Sequence, residues 1–569
     1  MTIELTSIFL DLFNPARLLG PIFDKELRVC SRRRRSYVLR CAYIAALCVF
    51  IVYAWYSILG ARSSGSAVFQ VSRFSQIGRT VIASIVWFQF VVAQLIAVVM
   101  LSSSISDEIR AGTLAVLMTT PIHSFQIVAG KLLSRLLQLI LLLAISLPLL
   151  TIVRVFGGVT GSYVISCVCI TLTAAVLAGA ISLLLSMTYH HAHTVILVTI
   201  VAYMVVFGAL PGLFNLLAVN GLFIFSQERT HSFLTLTNPY WAFAATNAKF
   251  LFQSGVPKSF SWPLHCLIML ALTAMIMALS IRRVRKAALG EVFDKKGGLW
   301  SRRASKRKIR TYSGYIRSDP IRPLKGSPVI WKEMCKGVIG RSKGDVAIFV
   351  LLIGAFLISA FLMLFAGRRS VKSTMLIYFF MSGIYLVVMI RLALFSAGSL
   401  TMEKEARTWP ILLATPLTDI EIVRGKAIAA FRRNMPLLLL YIGLFCLSCI
   451  NFSNLNRSDT LVYTLSTLVL GTCNVVGSVL FVIGTGLYFG ARLKTTTVAV
   501  AATAGLYFVM KYLLCGMFNP ARLLFYRTIA RRGQLWVFYA LPVTFAVIQA
   551  GIGVLFIWRA MRRLRCDIF

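Results

Sequence analysis

The sequence predicts an all-α, polytopic membrane protein of about 12 transmembrane helices, in two repeated six-helix halves with interfacial amphipathic helices. Three observations carry that expectation. Hydrophobic residues fill 58% of the 569 positions and charged residues only 14%, for a mean hydropathy of +0.82. That excess arrives in runs of about 20 residues, the length that crosses a hydrocarbon core of about 30 Å. The second observation is a pattern met twice, ISDEIRAGTLAVLMTTPIHSFQIVAGK from Ile105 to Lys131 and LTMEKEARTWPILLATPLTDIEIVRGK from Leu400 to Lys426. Thr113, Thr120, Pro121, Ile127, Val128, Gly130 and Lys131 recur 295 positions later. The third observation is the placement of the charge.

A net charge of +41 in a soluble chain would suggest nucleic acid. Here the basic residues flank the apolar runs. Arg32 to Arg35 precede the first span, 15 Lys and Arg lie between Arg282 and Lys325, and Arg559, Arg562, Arg563 and Arg565 follow the last span. The positive-inside rule puts such clusters in the cytoplasm against an anionic inner leaflet, where each is worth about 1 kcal/mol. A lipid bilayer is therefore the expected partner of this charge, and nucleic acid is not. Both termini are expected in the cytoplasm, which requires an even number of spans. The expected location is the cell membrane, in a bacterium the cytoplasmic one. The first 20 residues hold Glu4, Asp11 and a single basic residue, Arg17, so the first span itself, not a cleavable signal, is the expected targeting segment. Most of the 12 cysteines sit in apolar runs and read as small buried residues. Cys446 and Cys449 form a CxxC with no further ligands nearby.

Taken in order, each copy opens on a Pro-x-x-x-Lys-Glu segment, with Pro21, Lys25 and Glu26 in the first and Pro328, Lys332 and Glu333 in the second. Phe23 and Leu27, and later Ile330 and Met334, fall on one helical face opposite the charges, the pattern of a short helix lying in the membrane interface. A span follows each, near 37–59 and 347–365, then an outer loop (60–76 and 366–373), then a second span near 81–101 and 375–397. The charged hairpin comes next, and after it an apolar helix of some 32 residues, near 124–155 and 418–450. At 1.5 Å per residue such a helix reaches about 48 Å, so its lower turns, with Lys131, Arg135, Arg424, Lys426, Arg432 and Arg433, are expected in the cytoplasm or headgroups. Thr418 and Glu421 make a capping box at the start of the second of these helices. Spans four and five are placed near 163–187 and 195–223, with counterparts near 461–489 and 497–517. Outer segments holding Asn238-Pro239 and Asn519-Pro520 precede the sixth spans, near 263–281 and 536–558. The resulting division is 1–281 for the first half, 282–326 for a basic cytoplasmic linker and 327–569 for the second half.

All 18 Asp and Glu fall in tails, hairpins, interfacial helices, the linker or outer loops, so a carboxylate-based proton or cation relay inside the membrane is unsupported. No GxxxxGK[ST] loop occurs, so this chain does not bind ATP through that motif. The hairpins offer charges and hydroxyls at a turn of the chain: Asp107, Glu108, Arg110, Gly112 and Thr113 with Thr120-Pro121, and Glu403, Glu405, Arg407 and Thr408 with Thr415-Pro416.

These residues resemble a known family. DEIRAGTLAVLMTTP and EKEARTWPILLATP, each followed by Ile-Val-x-Gly-Lys, are similar to the hairpin of type 2 ATP-binding-cassette export permeases. The resemblance implies two six-helix halves around a substrate path, with the hairpins docking into a pair of cytoplasmic ATPase subunits that carry ATP and magnesium. It implies a permease without catalytic residues or a cofactor of its own, and a direction of export. The second copy departs from the pattern, with Arg407 where Gly112 stands, Glu405 where Arg110 stands, and Pro410 at the helix start. His190, His191 and His193 form a short cluster, but its counterpart in the second copy is merely basic, so no metal site is expected. Arg391 lies well inside the eighth span, where snorkelling, backbone pairing and contact with an anionic substrate are the open readings. The substrate is not legible. Two rival readings remain: a membrane anchor or assembly factor that recruits an ATPase, and an enzyme acting on lipid-linked substrates.

Overall fold

The computed structural model describes residues 67–117, 119–120, 122–157, 160–189, 192–219, 227–252, 261–295, 328–334, 371–453, 460–514 and 535–564, with scattered positions in 23–48 and 346–357. Among the described residues the fold is helical and free of strands. In lipid every backbone N–H and C=O has to be satisfied within the segment, and a helix does so.

Span two is α1 (Ala67–Ser102), and the first hairpin follows as α2 (Ser106–Ala111) and α3 (Leu114–Leu117). Spans three and four are α4 (Ser124–Gly157) and α5 (Gly161–Ser186). Span five is α6 (Ala192–Met204), continued by a π-helical segment (Val205–Ala209) and α7 (Leu210–Val219). Two further helices, α8 (Gln227–Thr237) and α9 (Pro239–Phe252), precede span six, α10 (Trp262–Lys295). In the second copy α11 (Pro328–Met334) is the interfacial helix and α12 (Val371–Glu405) is span eight. The second hairpin contains α13 (Trp409–Leu413), and span nine is α14 (Asp419–Ser453). Spans ten to twelve are α15 (Thr460–Arg492), α16 (Thr496–Phe508) with a π-helical continuation (Val509–Leu514), and α17 (Leu535–Arg563).

Nine helices among the described residues are long and apolar enough to cross a membrane. Span eleven is a shorter apolar helix, Thr496–Lys511. Spans one and seven fall largely outside the described residues, as do Asn519-Pro520, His190 and His191. Three boundaries differ from expectation. α1 and α12 start at Ala67 and Val371, inside the segments read as outer loops. α10 runs on to Lys295, so 282–295 of the linker extends span six as a helix. Basic and alanine-rich sequence is itself a good helix former, and hydropathy cannot see a helix once it leaves the apolar core.

The turn at Asn238-Pro239 packs into the protein. Asn238 is buried, its amide donates to the carbonyl of Phe207 at 2.7 Å, and its Oδ1 accepts from the Tyr240 N–H at 2.9 Å. Phe207 lies in the π segment, where the wider helical register displaces carbonyls from their usual partners. The α8–α9 pair thus dips back into the bundle. Phe243 stacks on Phe90 of span two at 4.2 Å, and Phe250 on Tyr163 of span four at 4.0 Å.

Within the first half α1 is the central element, packed against α4 and α5, and Ser182 of α5 donates to the Val98 carbonyl at 3.0 Å. In the second half α15 and α17 lie side by side along their length, and glycines set the spacing. A Cβ built on Gly477 would come within 2.5 Å of the Ala546 carbonyl oxygen, and one on Gly553 within 2.5 Å of that of Leu480. The two halves meet along spans two and five on one side and eight and eleven on the other. Leu197, Val198 and Val201 of α6 join the core cluster formed by the second half, and Phe88 of α1 lies 6.0 Å from Phe508 of α16.

The glycine contact gives a direct test. Gly553→Val is expected to cost about 1–3 kcal/mol through overpacking and to lower the thermal unfolding midpoint in detergent. Gly551→Ala, where nothing lies within 4 Å of the added Cβ, is expected to leave the midpoint in place.

Candidate functional site: the paired hairpins

Each hairpin turns at a left-handed residue, which ends the short α2 in the first copy and follows the end of span eight in the second. In the first, Gly112 has φ 72° and donates to the Ile109 carbonyl at 3.2 Å, while the Thr113 N–H and hydroxyl reach the Glu108 carbonyl at 3.0 and 3.3 Å. In the second, Arg407 has φ 57° and donates to Lys404 at 3.1 Å, while the Thr408 N–H and hydroxyl reach the Glu403 carbonyl at 3.0 and 3.2 Å. This left-handed cap explains the Gly-Thr of the pattern, since glycine adopts the conformation without steric cost. It also shows the departure at Arg407 to be a strained substitution within the same turn. The short helices end alike: Thr120 Oγ1 donates to the Leu117 carbonyl at 2.5 Å, and Thr415 Oγ1 to that of Leu412 at 2.6 Å. One apolar side chain roots each short helix, Leu114 in the first and Trp409 in the second, both buried.

The electrostatic centre of each hairpin is an ion pair to the long third helix of its repeat. Lys131 Nζ stands 2.5 Å from Glu108 Oε1 and 2.5 Å from the Ser104 carbonyl, with its side chain 4% exposed. Lys426 Nζ stands 3.2 Å from Glu403 Oε1, also 4% exposed. Within the turns expected in the cytoplasm or headgroups, Lys131 and Lys426 are thus buried against their hairpins. A buried ammonium needs a partner charge, and the hairpin folds back to supply one. The capping box expected at Thr418 and Glu421 is present, with reciprocal bonds of 3.1 and 3.3 Å that fix where α14 starts below its lysine.

The interfacial helices join the same network. Arg135, one turn beyond Lys131, reaches Glu26 at 3.4 Å, and Lys332 reaches Glu403 at 3.7 Å. Gly425, just before Lys426, lets α11 pack on α14, because a Cβ there would stand 2.7 Å from Val329 Cγ1. The Gly-Lys of the second repeat thus divides its work: glycine admits the interfacial helix and lysine binds the hairpin. Lys25 is exposed, and Pro21 and the side chain of Glu333 lie outside the described residues.

The second hairpin has two further ties. The Thr496 N–H, in the first turn of α16, donates to Glu405 Oε1 at 2.8 Å, and Lys404 Nζ donates to the Ala491 carbonyl in the last turn of α15. A carboxylate at a helix start and an ammonium at a helix end both suit the helix dipole. Glu405 in place of Arg110 thus fastens this hairpin to the junction of spans ten and eleven. The side chain of Arg110, and Pro121, lie outside the described residues. Asp107, Thr113, Thr120 and Pro416 are exposed, and the tips carry apolar side chains in the open: Val116 is 65% exposed and Ile411 68%.

Residues 21–289 match the family model described as ABC-2 family transporter protein. The first half of this chain belongs to that family. The match takes in the ABC-2 hairpin at Ser106–Leu117 with its Glu108–Lys131 pair. The second hairpin, which lies beyond the matched residues, reproduces the same hydrogen bonds 295 positions later. The comparisons with curated proteins and with solved structures find no match. An ABC-2 protein is the membrane component of a transporter, which agrees with the permease resemblance seen in the sequence. Among the described residues no group of three or more His, Cys, Asp and Glu is placed to hold a metal.

Sequence reasoning singled out the glutamates and hydroxyls of the hairpins but gave the two lysines no role there. The signal was present. Glu108 to Lys131 and Glu403 to Lys426 are both 23 residues apart. Lys426→Met, which leaves Glu403 without its closest cation, is expected to destabilise the protein by about 3–5 kcal/mol. The double variant Lys426→Met, Glu403→Gln is expected to recover part of that loss in a double-mutant cycle of thermal unfolding. Arg407→Gly relieves a left-handed non-glycine residue and is expected to raise stability by about 1 kcal/mol.

Proposed function

We propose that this chain is the permease of an ATP-binding-cassette exporter, driven by a pair of separate cytoplasmic ATPase subunits that carry ATP and magnesium. The observation that carries this reading is the doubled hairpin: two turns of the same build, each with an apolar tip in the open and a buried ion pair at its root. Val116 and Ile411 are the kind of side chain a docking groove takes up, and the charges around them set orientation. On this reading the hairpins, both termini and the linker face the cytoplasm, in agreement with the basic flanks. The two halves are then 1–281 and 327–569, and one chain supplies both sides of the path.

Force on a hairpin tip reaches the membrane through named bonds. Pushing on the first hairpin moves Glu108 and with it Lys131 of α4. Pushing on the second moves Glu403 against Lys426 and Lys332, Glu405 against the start of α16, and Lys404 against the end of α15. Spans eight and eleven border the junction between halves, so nucleotide-dependent engagement of the tips shifts the balance between two arrangements of that junction.

The test is to purify the full chain with candidate ATP-binding-cassette ATPase subunits and to measure complex formation and ATP hydrolysis in liposomes. Wild type is expected to form a complex whose hydrolysis differs from that of the free ATPase. Val116→Asp with Ile411→Asp is expected to abolish that complex while leaving the unfolding midpoint unchanged. No complex with wild type, or an unaffected complex with the double variant, counts against the reading.

A further inference from the structure

Among the described residues, the second half carries buried positive charge at positions whose first-half counterparts are uncharged. Arg391 on α12 is 2% exposed, Lys511 in the π segment after α16 is 4% exposed, and Arg433 on α14 is half-buried. With the 295-residue register of the hairpins, Arg391 and Arg433 correspond to Ile96 and Gln138. Spans five and eleven each turn from α to π after 13 residues, at Val205 and Val509, and that register pairs Lys511 with Phe207. All three counterparts are uncharged.

The cations form two stations along α12. At the first, the guanidinium carbons of Arg391 and Arg433 stand 5.3 and 5.2 Å from the centroid of one ring, that of Phe395. Beside them, Arg433 Nε is buried without a hydrogen-bond acceptor, and the buried Asn434 has an Oδ1 without a donor. At the second, Lys511 donates to Asn474 Oδ1 and, at 3.5 Å, to Ser478 Oγ, and its ammonium lies 5.3 Å from the Tyr385 ring centroid. Counting along α12 at 1.5 Å per residue, Phe395 is about 12 Å and Tyr385 about 27 Å from Glu403. The stations thus lie in the leaflet nearer the hairpins and in the farther one. The second adjoins the junction of the halves: Phe508, one turn before Lys511, meets Phe88, and a Cβ on the nearby Gly383 would stand 2.6 Å from Met204 Sδ.

Acidic residues are sparse in the second half. Between Asp345 and Glu403 there is no acidic residue, and between Glu421 and Asp567 there is one, Asp459. Asp459 immediately precedes α15, so Asn474 and the Lys511 that binds it lie about 21 Å farther along that helix. Two guanidinium groups gathered on one ring at low dielectric repel each other and hold the site positive, and an anion offsets that cost. Arginine suits such a site because its planar fork binds phosphate and carboxylate through paired hydrogen bonds.

We propose that the second half binds an amphiphile with an anionic headgroup, phosphate or carboxylate in type, at Arg391 and Arg433 near the hairpin side and at Lys511 near the far side. This rests on the permease reading only for its meaning as cargo. The binding itself belongs to this chain alone, so its test needs no ATPase, and failure of the ATPase experiment leaves it standing.

The test uses the full chain in a neutral detergent, titrated with spin-labelled phosphatidylglycerol and spin-labelled phosphatidylcholine. Wild type is expected to prefer the anionic lipid by about tenfold, and Arg391→Gln with Arg433→Gln to lose that preference. Arg282→Gln with Arg283→Gln removes the same charge from exposed positions at the end of span six and is expected to retain it. Lys511→Gln is expected to weaken the anionic lipid alone, and it carries the test by itself if the double arginine variant does not fold. Competition by inorganic phosphate at millimolar concentration assigns recognition to the free anion, and lack of competition assigns it to the intact lipid; both keep the anionic site. Equal binding of the two lipids by wild type, equal loss in the two double variants, or an unchanged preference in Lys511→Gln overturns the proposal.

Discussion

A lysine on the third membrane helix of each repeat, buried almost completely, needs a negative charge, and the hairpin brings one. Glu108 meets Lys131 and Glu403 meets Lys426. Much of the hairpin end follows from this constraint. The helix that carries each glutamate, α2 or α12, has to stop where the glutamate faces the lysine, which the left-handed turn at Gly112 and Arg407 achieves. Threonine then closes the turn by bonding back to the carbonyl of the same glutamate. The interfacial helix has to come close to the third helix as well, which Gly425 permits against Val329. Buried ion pairs add little net stability because desolvation offsets their attraction, but a half-broken pair is costly. Such a pair specifies the position of the hairpin against the third helix.

The repeats share this root and differ above it. The second hairpin is tied through Glu405 and Lys404 to the ends of spans eleven and ten, and through Lys332 to its interfacial helix. Its half also holds the buried cations Arg391 and Lys511. The hairpin turns share a common frame, and Arg407 and Glu405 depart from the pattern within it. Arg407 retains the turn at the expense of a strained backbone, whereas Glu405 replaces Arg110 and takes up a bond to the Thr496 amide.

Helix identity and order were legible because apolar runs of spanning length allow few other structures. The start of α14 at a capping box was legible because its two side chains are local in sequence. Hairpin residues such as Glu108, Thr113, Glu403 and Thr408 were legible because they recur. What they do was not. Glu108 and Glu403 looked like docking charges, yet their carboxylates turn inward, while the open tips are the apolar Val116 and Ile411. Asn238-Pro239 reads as a turn in an outer segment, and only the structure shows Asn238 buried against Phe207.

The sequence by itself determined a helical membrane protein with a doubled hairpin, because hydropathy and repetition are properties of the chain read along its length. Only the tertiary structure decided that Lys131 and Lys426 point into the protein, that Glu405 caps a helix 91 residues away, and that Arg391 and Arg433 share one ring. Each of these depends on which faces of distant helices meet. In a bilayer that choice is made by close packing of small residues and by pairing of buried charges, and neither leaves a periodic trace in a single sequence.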